Sequence, residues 1–464
     1  MSPPDPWSRF PEGALDAVEV TDGQARVLDD KRVREDLVGP LVTVATFAAG
    51  ERKATAQALI RSLAHEVGIE EASIHELYRA RGRGEVEGFT VPAMNLRTMT
   101  YDMARAAFRA AEREDVGALV FEIARSEIGY TGQSPAEYAS AVLGAAIREG
   151  HRGPVFLQGD HFQFDPEAVA EDADAEQARI DDLAEEAIEA GFYNIDVDAS
   201  TLVDLDEADV ADQQRPNVDR TLTTLARIRS LEPVTVSVGG EVGEVGLETT
   251  TEPELRVFLE QLDDGCQQRG LEGISKASVQ TGTQHGGVVL PDGSLAEADV
   301  DVEAVRRLSR LAREHGLAGC VQHGASTLRD ELFARFPEAG AAEIHLATAF
   351  LNLVLDHEAF PGELTRRIEE HLDEHLAHRR TPEATDEQFV YRHRKRAMGA
   401  LKEPMWRVAE DRKQAIFADL EERFSFLFDE LGVTGTTDTV DTYVTPDPVE
   451  PTVPEAWRAD LAGR

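Results

Sequence analysis

Residues 275–290 read SKASVQTGTQHGGVVL. A short β-prone run ends in small residues, then presents one histidine followed by two glycines. The pattern recurs in AGCVQHGAS, where His323 precedes Gly324; in GPVFLQGDHF, Asp160 and His161 likewise close a β-branched and aromatic run, without a following glycine. Glycine after such a histidine admits close backbone approach and leaves N–H groups open to an anion. Three histidines set at strand ends therefore pose a question of architecture: which fold brings strand ends together?

Outward from these stretches, short apolar runs alternate with helical patterns. The predicted strands are FTVPAM, VGALVFEI, GPVFLQG, FYNIDVD, VTVSVGGEV, SKASVQTG, AGCVQH and AEIHLAT. Between them lie amphipathic segments such as TYDMARAAFRAAERE, SPAEYASAVLGAAIREG and DVEAVRRLSRLAREHG. Eight strands, nearly all separated by a helix, predict parallel β/α units closed into a TIM (β/α)8 barrel, an α/β fold. An open doubly wound sheet is the rival, and no glycine-rich phosphate fingerprint opens the first unit to favour it. The expected organisation is a helical N-terminal extension over 1–87, the barrel over 88–357, C-terminal helices over 358–433 and an acidic, mobile tail over 434–464.

Bulk properties narrow the function. The 88 acidic against 47 basic side chains give a net charge of −41, which repels nucleic acid and anionic lipid. An acidic surface poor in lysine suits a protein working in concentrated salt, where screening limits self-repulsion. Two cysteines, Cys266 and Cys320, cannot form a disulfide framework, and the N-terminus shows no secretory pattern. The expectation is a cytoplasmic protein with no membrane span.

In a β/α barrel, loops after the strands converge on one mouth. Asp160 and His161 then project from the third strand, Glu241 and Glu248 from the fifth, His285 from the sixth and His323 from the seventh. His161, His285 and His323 could supply three protein ligands to an open zinc site, with Asp160 beside the metal to move protons. Taken singly, a histidine at a strand end is more often a satisfied polar residue than a ligand. The helical pair His371 and His375 lacks the adjacent glutamate of a zinc-protease site and reads as a solvated face. The basic run YRHRKRAMG at 391–399 reads as internal salt bridging, with substrate phosphate or a neighbouring subunit as the alternatives.

The ordered set VPAMNLRTMTYDMARAAFRAAERE, GDH, EVGEVGLE, TGTQHGG, VQHGAS and AEIHLATAF resembles the class II, zinc-dependent fructose-bisphosphate and related ketose-bisphosphate aldolases over about residues 88–355. The resemblance implies an aldehyde-lyase of glycolysis and gluconeogenesis, a homo-oligomer acting on a small sugar phosphate. It implies a catalytic Zn2+ (or another divalent metal), with a monovalent cation as a further candidate. By this likeness His161, His285 and His323 bind the metal, and Glu241 holds its alternative position. Asp160 exchanges the C4 hydroxyl proton. Gly286, Gly324, Ser326 and Thr348 line the phosphate site, Asn95 lies near the substrate, and Asp198 and Ser200 match a fourth-strand segment without a firm role. Two departures stand out. Thr249 occupies the position of the glutamate that exchanges the C1 proton, leaving Glu248, or Glu252, to substitute. His345 replaces an asparagine of the phosphate site. EIARSEIGYTGQSPAEYA also looks like the accessory subunit of tagatose-bisphosphate aldolase, so the alternatives are a tagatose-bisphosphate or other sugar-phosphate aldolase, or a non-catalytic partner subunit.

Overall fold

The computed structural model describes residues 10–243, 249–282, 289–290 and 300–462. Its centre is a closed barrel of eight parallel strands: β1 Val91–Asn95, β2 Val120–Ala124, β3 Gly153–Gln163, β4 Asn194–Asp198, β5 Ser237–Val242, β6 Lys276–Val279, β7 Cys320–Gln322 and β8 Glu343–Leu346. Each strand pairs in parallel with the next, and β8 returns to β1 through Glu343↔Val91 and Leu346↔Met94. All eight strands read from the sequence are present.

The helices form where periodicity and capping agree. Thr100–Glu114 buries an alanine-rich face including Met103, Ala107 and Phe108. Glu252–Arg269 begins with a reciprocal cap between Thr251 and Glu254 and ends at Gly270, whose φ of +65° a side chain would disfavour. Val302–Glu314 starts on Asp301, which accepts from the Ala304 N–H. The C-terminal helix Glu410–Glu430 lies against Thr100–Glu114, tied by Lys413 to Asp102 (2.6 Å) and Arg109 to Glu421 (2.6 Å). Phe424 of that helix packs against Phe350, ring centres 4.9 Å apart. Burial of one such ring contributes about 1.5–3 kcal/mol.

The ends of the chain depart from expectation. The N-terminal extension carries a hairpin, Val18–Thr21 with Gln24–Val27, and a strand, Ile69–Glu71, that pairs with the start of β3. Its helix His75–Gly82 abuts the strand starts, where Arg81 donates to the carbonyls of Phe89 (2.6 Å) and Ala341 (3.0 Å) and Tyr78 donates to Glu343 inside the barrel. The tail expected to be mobile is instead packed. Val440, Val453, Trp457 and Leu461 are buried, Val453 N–H donates to Gly23 (2.7 Å), and Asp460 accepts from Thr55 (3.1 Å). Its acidic average hid five apolar anchors, Val444 being the fifth, spread along the segment.

The barrel interior is charged. Glu122, Gln158, Asp196, Lys276 and Glu343 are fully buried in one polar layer. Lys276 Nζ donates to Gln158 (2.7 Å), Asp196 (3.0 Å) and Glu343 (2.5 Å). Gly239 makes the space: a Cβ there would lie 2.2 Å from Asp196 Oδ1. Buried ions cost several kcal/mol each unless paired, so this layer stands only as a complete set.

Candidate active site

The third strand solves a geometric problem. Adjacent residues of a regular strand face opposite sides, so Asp160 and His161 could not both face the barrel axis. Between Gly159 and Phe162 the pairing of β3 with β4 shifts register, and His161 adopts a φ of +43°. Such a bulge re-aims side chains, and a left-handed non-glycine residue costs on the order of 1 kcal/mol or more. The phenyl ring of Phe162 folds over Gly159, where a Cβ would lie 2.4 Å from it. The bulge delivers Asp160 and His161 together to the mouth.

There Asp160, His161, Glu241 and His323 each offer one ligand atom, all within 4.8 Å of one another. The rings of His161 and His323 are 4.2 Å apart. His161 Nδ1 lies 3.0 Å from Asp198 Oδ2 and 2.8 Å from Glu241 Oε1, and His323 Nε2 lies 3.0 Å from Ser278 Oγ. Nitrogen and carboxylate donors converging in a buried site suit a divalent cation such as zinc. The set therefore fits the metal expected from the sequence, with Asp160 taking a place in the cluster. The predicted ligand His285, together with Glu248 and Gly286, lies outside the described residues.

Electrostatics agrees with the crowding of charge. Burial raises the Glu241 carboxyl, assisted by the nearby Asp198 charge, to about 8. Burial would also raise Asp160, yet His161 and His345 outweigh it and hold that carboxyl well below the usual range. Asp160 is therefore ionised, with Oδ2 accepting from Asn95 Nδ2 (2.9 Å) and Oδ1 facing His345 Nδ1 (3.1 Å).

The structure gives the anticipated residues definite partners. Asn95 holds Asp160 and Glu127 (2.9 Å to each). Asp198 accepts from His161, from Gln163 Nε2 (2.6 Å) and from Ser200 Oγ (2.7 Å), so it orients the His161 imidazole. His345 does not serve the phosphate site: its nitrogens face Asp160 and Glu343, at 3.1 and 2.6 Å, which leaves no donor for an anion. Glu252 faces Arg307 at 3.5 Å on the outer surface. Gly324, Ser326 and Thr348 do gather after β7 and β8. Gly324 is left-handed, Ser326 Oγ accepts from Ala349 N–H (3.4 Å), and Thr348 Oγ1 accepts from Arg97 (3.1 Å).

One feature was not legible in the sequence, and a second was there only an alternative. Glu127, in a helix Arg125–Thr131, binds Arg97 (2.5 Å) and Asn95 and so fixes one wall of the mouth. Against that helix rests the basic run expected to form internal salt bridges. Arg394 does pair with Asp356 (2.5 Å), but among the described residues Lys395 and Arg396 have no carboxylate at ion-pair distance. Lys395 Nζ stands 5.8 Å from the Tyr130 ring. Burial, then repulsion by Arg97 and Arg396, brings its pKa down to about 8. Cations without a carboxylate in ion-pair contact attract anions in so acidic a protein. A cavity of about 570 Å³ opens beside His161 and Glu241, lined by Arg125, Gln163, Asp198 and Ser200.

Lys276 serves the charged layer: its Nζ is fully buried and donates to Gln158, Asp196 and Glu343, which disfavours a Schiff-base role. Although burial opposes its charge, Asp196 and Glu343 raise its pKa above the ordinary lysine value, so the amine stays protonated. Among the described residues no helix is long and apolar enough to cross a membrane, and both cysteines are buried and free.

Residues 81–412 match the family described as fructose-bisphosphate aldolase class-II. None of the curated proteins matches the chain. Among solved structures, a probable tagatose 6 phosphate kinase from Sinorhizobium meliloti 1021 is 19% identical, with a TM-score of 0.53 over 81% of this chain and 99% of that one. A glycerol complex of the fructuronate-tagaturonate epimerase UxaE from Cohnella laeviribosi is 12% identical, with a TM-score of 0.54 over 90% of each chain. At such identities these two likenesses show the fold alone.

Proposed function

The chain belongs to the class II fructose-bisphosphate aldolase family, and from that premise we propose that it cleaves and condenses a ketose bisphosphate, with fructose bisphosphate as the first candidate substrate. The observation that carries this reading is the meeting of Asp160, His161, Glu241 and His323 at the barrel mouth. Those residues would hold a divalent cation, zinc first among candidates, with His285 as the further expected ligand. When bound, the cation supplies Lewis-acid stabilisation of the negative charge left on the ketone half by carbon–carbon cleavage, worth several kcal/mol.

The chain's own groups do the rest. Asp160, ionised and held on both oxygens, takes the proton of the C4 hydroxyl in cleavage and returns it in condensation. Asp198 and Ser278 orient the two imidazoles. Ser326 and Thr348 suit one phosphate, and the wall of Arg97, Lys395 and Arg396 favours an anionic substrate. Glu248 remains our candidate for the C1 proton exchange.

A tagatose bisphosphate, which differs at C4, is the second candidate. The deciding experiment purifies the protein in high salt, measures bound metal and follows triose phosphate release from each bisphosphate with and without a chelator. Chelator-sensitive release from one of them is expected. Metal-free protein that releases nothing would overturn the reading.

A further inference from the structure

We propose that His345 is a positioning residue for this reaction, fixing the Asp160 carboxylate from below and itself fixed by Glu343, Lys276 and Tyr78. The inference rests on the aldolase reading above. Asp160 Oδ2 is held by Asn95 at 2.9 Å and Oδ1 by His345 Nδ1 at 3.1 Å, so the carboxylate cannot rotate without losing a donor. Each oxygen keeps a lone pair for a substrate hydroxyl. The other side of the imidazole is clamped, with Nε2 at 2.6 Å from Glu343 Oε1. Glu343 in turn accepts from Lys276 Nζ, from Gln158 Nε2 (2.9 Å) and from the Tyr78 hydroxyl. A continuous path of hydrogen bonds thus runs from the N-terminal extension, through the charged layer, to the acid–base group at the mouth.

Two other roles for His345 fit less well. Groups that include Glu122, Glu343 and His345, or Asp160, Asp196 and His345, have the spacing of a metal site. The Lys276 ammonium already stands within 3.0 Å of Asp196 and Glu343, so a dication there would face a fixed positive charge. A phosphate contact is opposed by the carboxylates of Asp160, Glu122 (3.3 Å) and Glu343 around the ring. Positioning is what the geometry leaves. Small displacement of an acid–base group costs up to about a hundredfold in rate, so the effect is measurable.

The test uses the isosteric split of the imidazole. His345→Asn places an amide nitrogen near Nδ1 and keeps a donor for Asp160. His345→Gln places one near Nε2 and keeps only the Glu343 link. With the full-length, metal-loaded protein, His345→Gln should lower kcat about tenfold or more, with KM within about twofold and metal content unchanged. His345→Asn should recover most of that loss, and Tyr78→Phe should lower kcat by a few fold at unchanged KM. Equal kcat in the Asn and Gln variants would overturn the proposal, as would a loss confined to KM or one that tracks loss of metal. If neither His345 variant folds, an unchanged kcat in Tyr78→Phe overturns it. Absence of cleavage by the wild-type protein would overturn the functional reading, and this proposal with it.

Discussion

Asn95 and Asp160 are joined by a 2.9 Å hydrogen bond that crosses from the end of the first barrel strand to the end of the third. The same amide nitrogen donates to Glu127, so the acid–base group is anchored to the mouth wall as well as to the barrel floor.

Replacing Asp160 by Asn removes the proton acceptor while keeping size and one of the two hydrogen bonds, that to the remaining oxygen. The expected outcome is a fall in kcat of about a hundredfold or more, because a positioned acid–base group contributes about 10²–10⁴. Metal content should persist, carried by the remaining ligands. Unchanged turnover would remove Asp160 from its role.

Lys276→Met tests the charged layer. It strips the one ammonium that neutralises Asp196 and Glu343, both fully buried. Breaking a buried pair in this way destabilises by about 3–5 kcal/mol, readable as a lower denaturant midpoint. In the wild-type protein, borohydride added during turnover should trap no covalent adduct. A trapped adduct on Lys276 would revive the imine mechanism.

The barrel was legible because its signals are periodic: eight β-prone runs, each short, with amphipathic helices between most of them. The convergence of His161 and His323 followed from placing strand ends on one mouth. What the sequence hid was local backbone geometry. Nothing in GDHF announces that His161 turns left-handed, yet that turn lets Asp160 and His161 face the axis together. The destiny of His345 was hidden for a different reason. Its partners, Glu343 two residues before it and Asp160 far upstream, are set by the depth of a side chain inside the barrel, which pattern reading does not resolve. The packing of the tail depended on contacts with Gly23 and Thr55, more than 400 residues away in the chain.

Asp198→Asn should weaken the metal site without removing a ligand. Asp198 fixes the His161 ring and tautomer through Nδ1, and loss of such a partner lowers metal affinity about 10–100-fold. Zinc titration with a competing chelator reads this directly. An unchanged affinity would show that the bulge alone orients His161.

The net charge of −41 sets a salt dependence. Between ~0.1 and ~1 M sodium chloride the screening length falls from about 10 to about 3 Å, which removes most repulsion between exposed carboxylates. The unfolding temperature should rise over that range. A flat or falling temperature would mean that the acids are balanced locally and that the surface is not adapted to salt.

Lys395 gives the site a pH dependence whose direction can be worked out. Its pKa of about 8 lies below the usual lysine value, because burial and the charges of Arg97 and Arg396 outweigh the opposing pull of Glu127. Tyr130, whose ring it faces, stays neutral, since burial raises its hydroxyl. The amine is therefore charged below pH 8 and neutral above it. Attraction for an anionic substrate is present at pH 7 and lost as pH rises through 8, so KM should climb between pH 7 and 9. Lys395→Arg keeps a cation throughout and should flatten that climb at similar KM below pH 7. A KM profile identical in the two proteins would detach Lys395 from the substrate and return the basic run to a structural role.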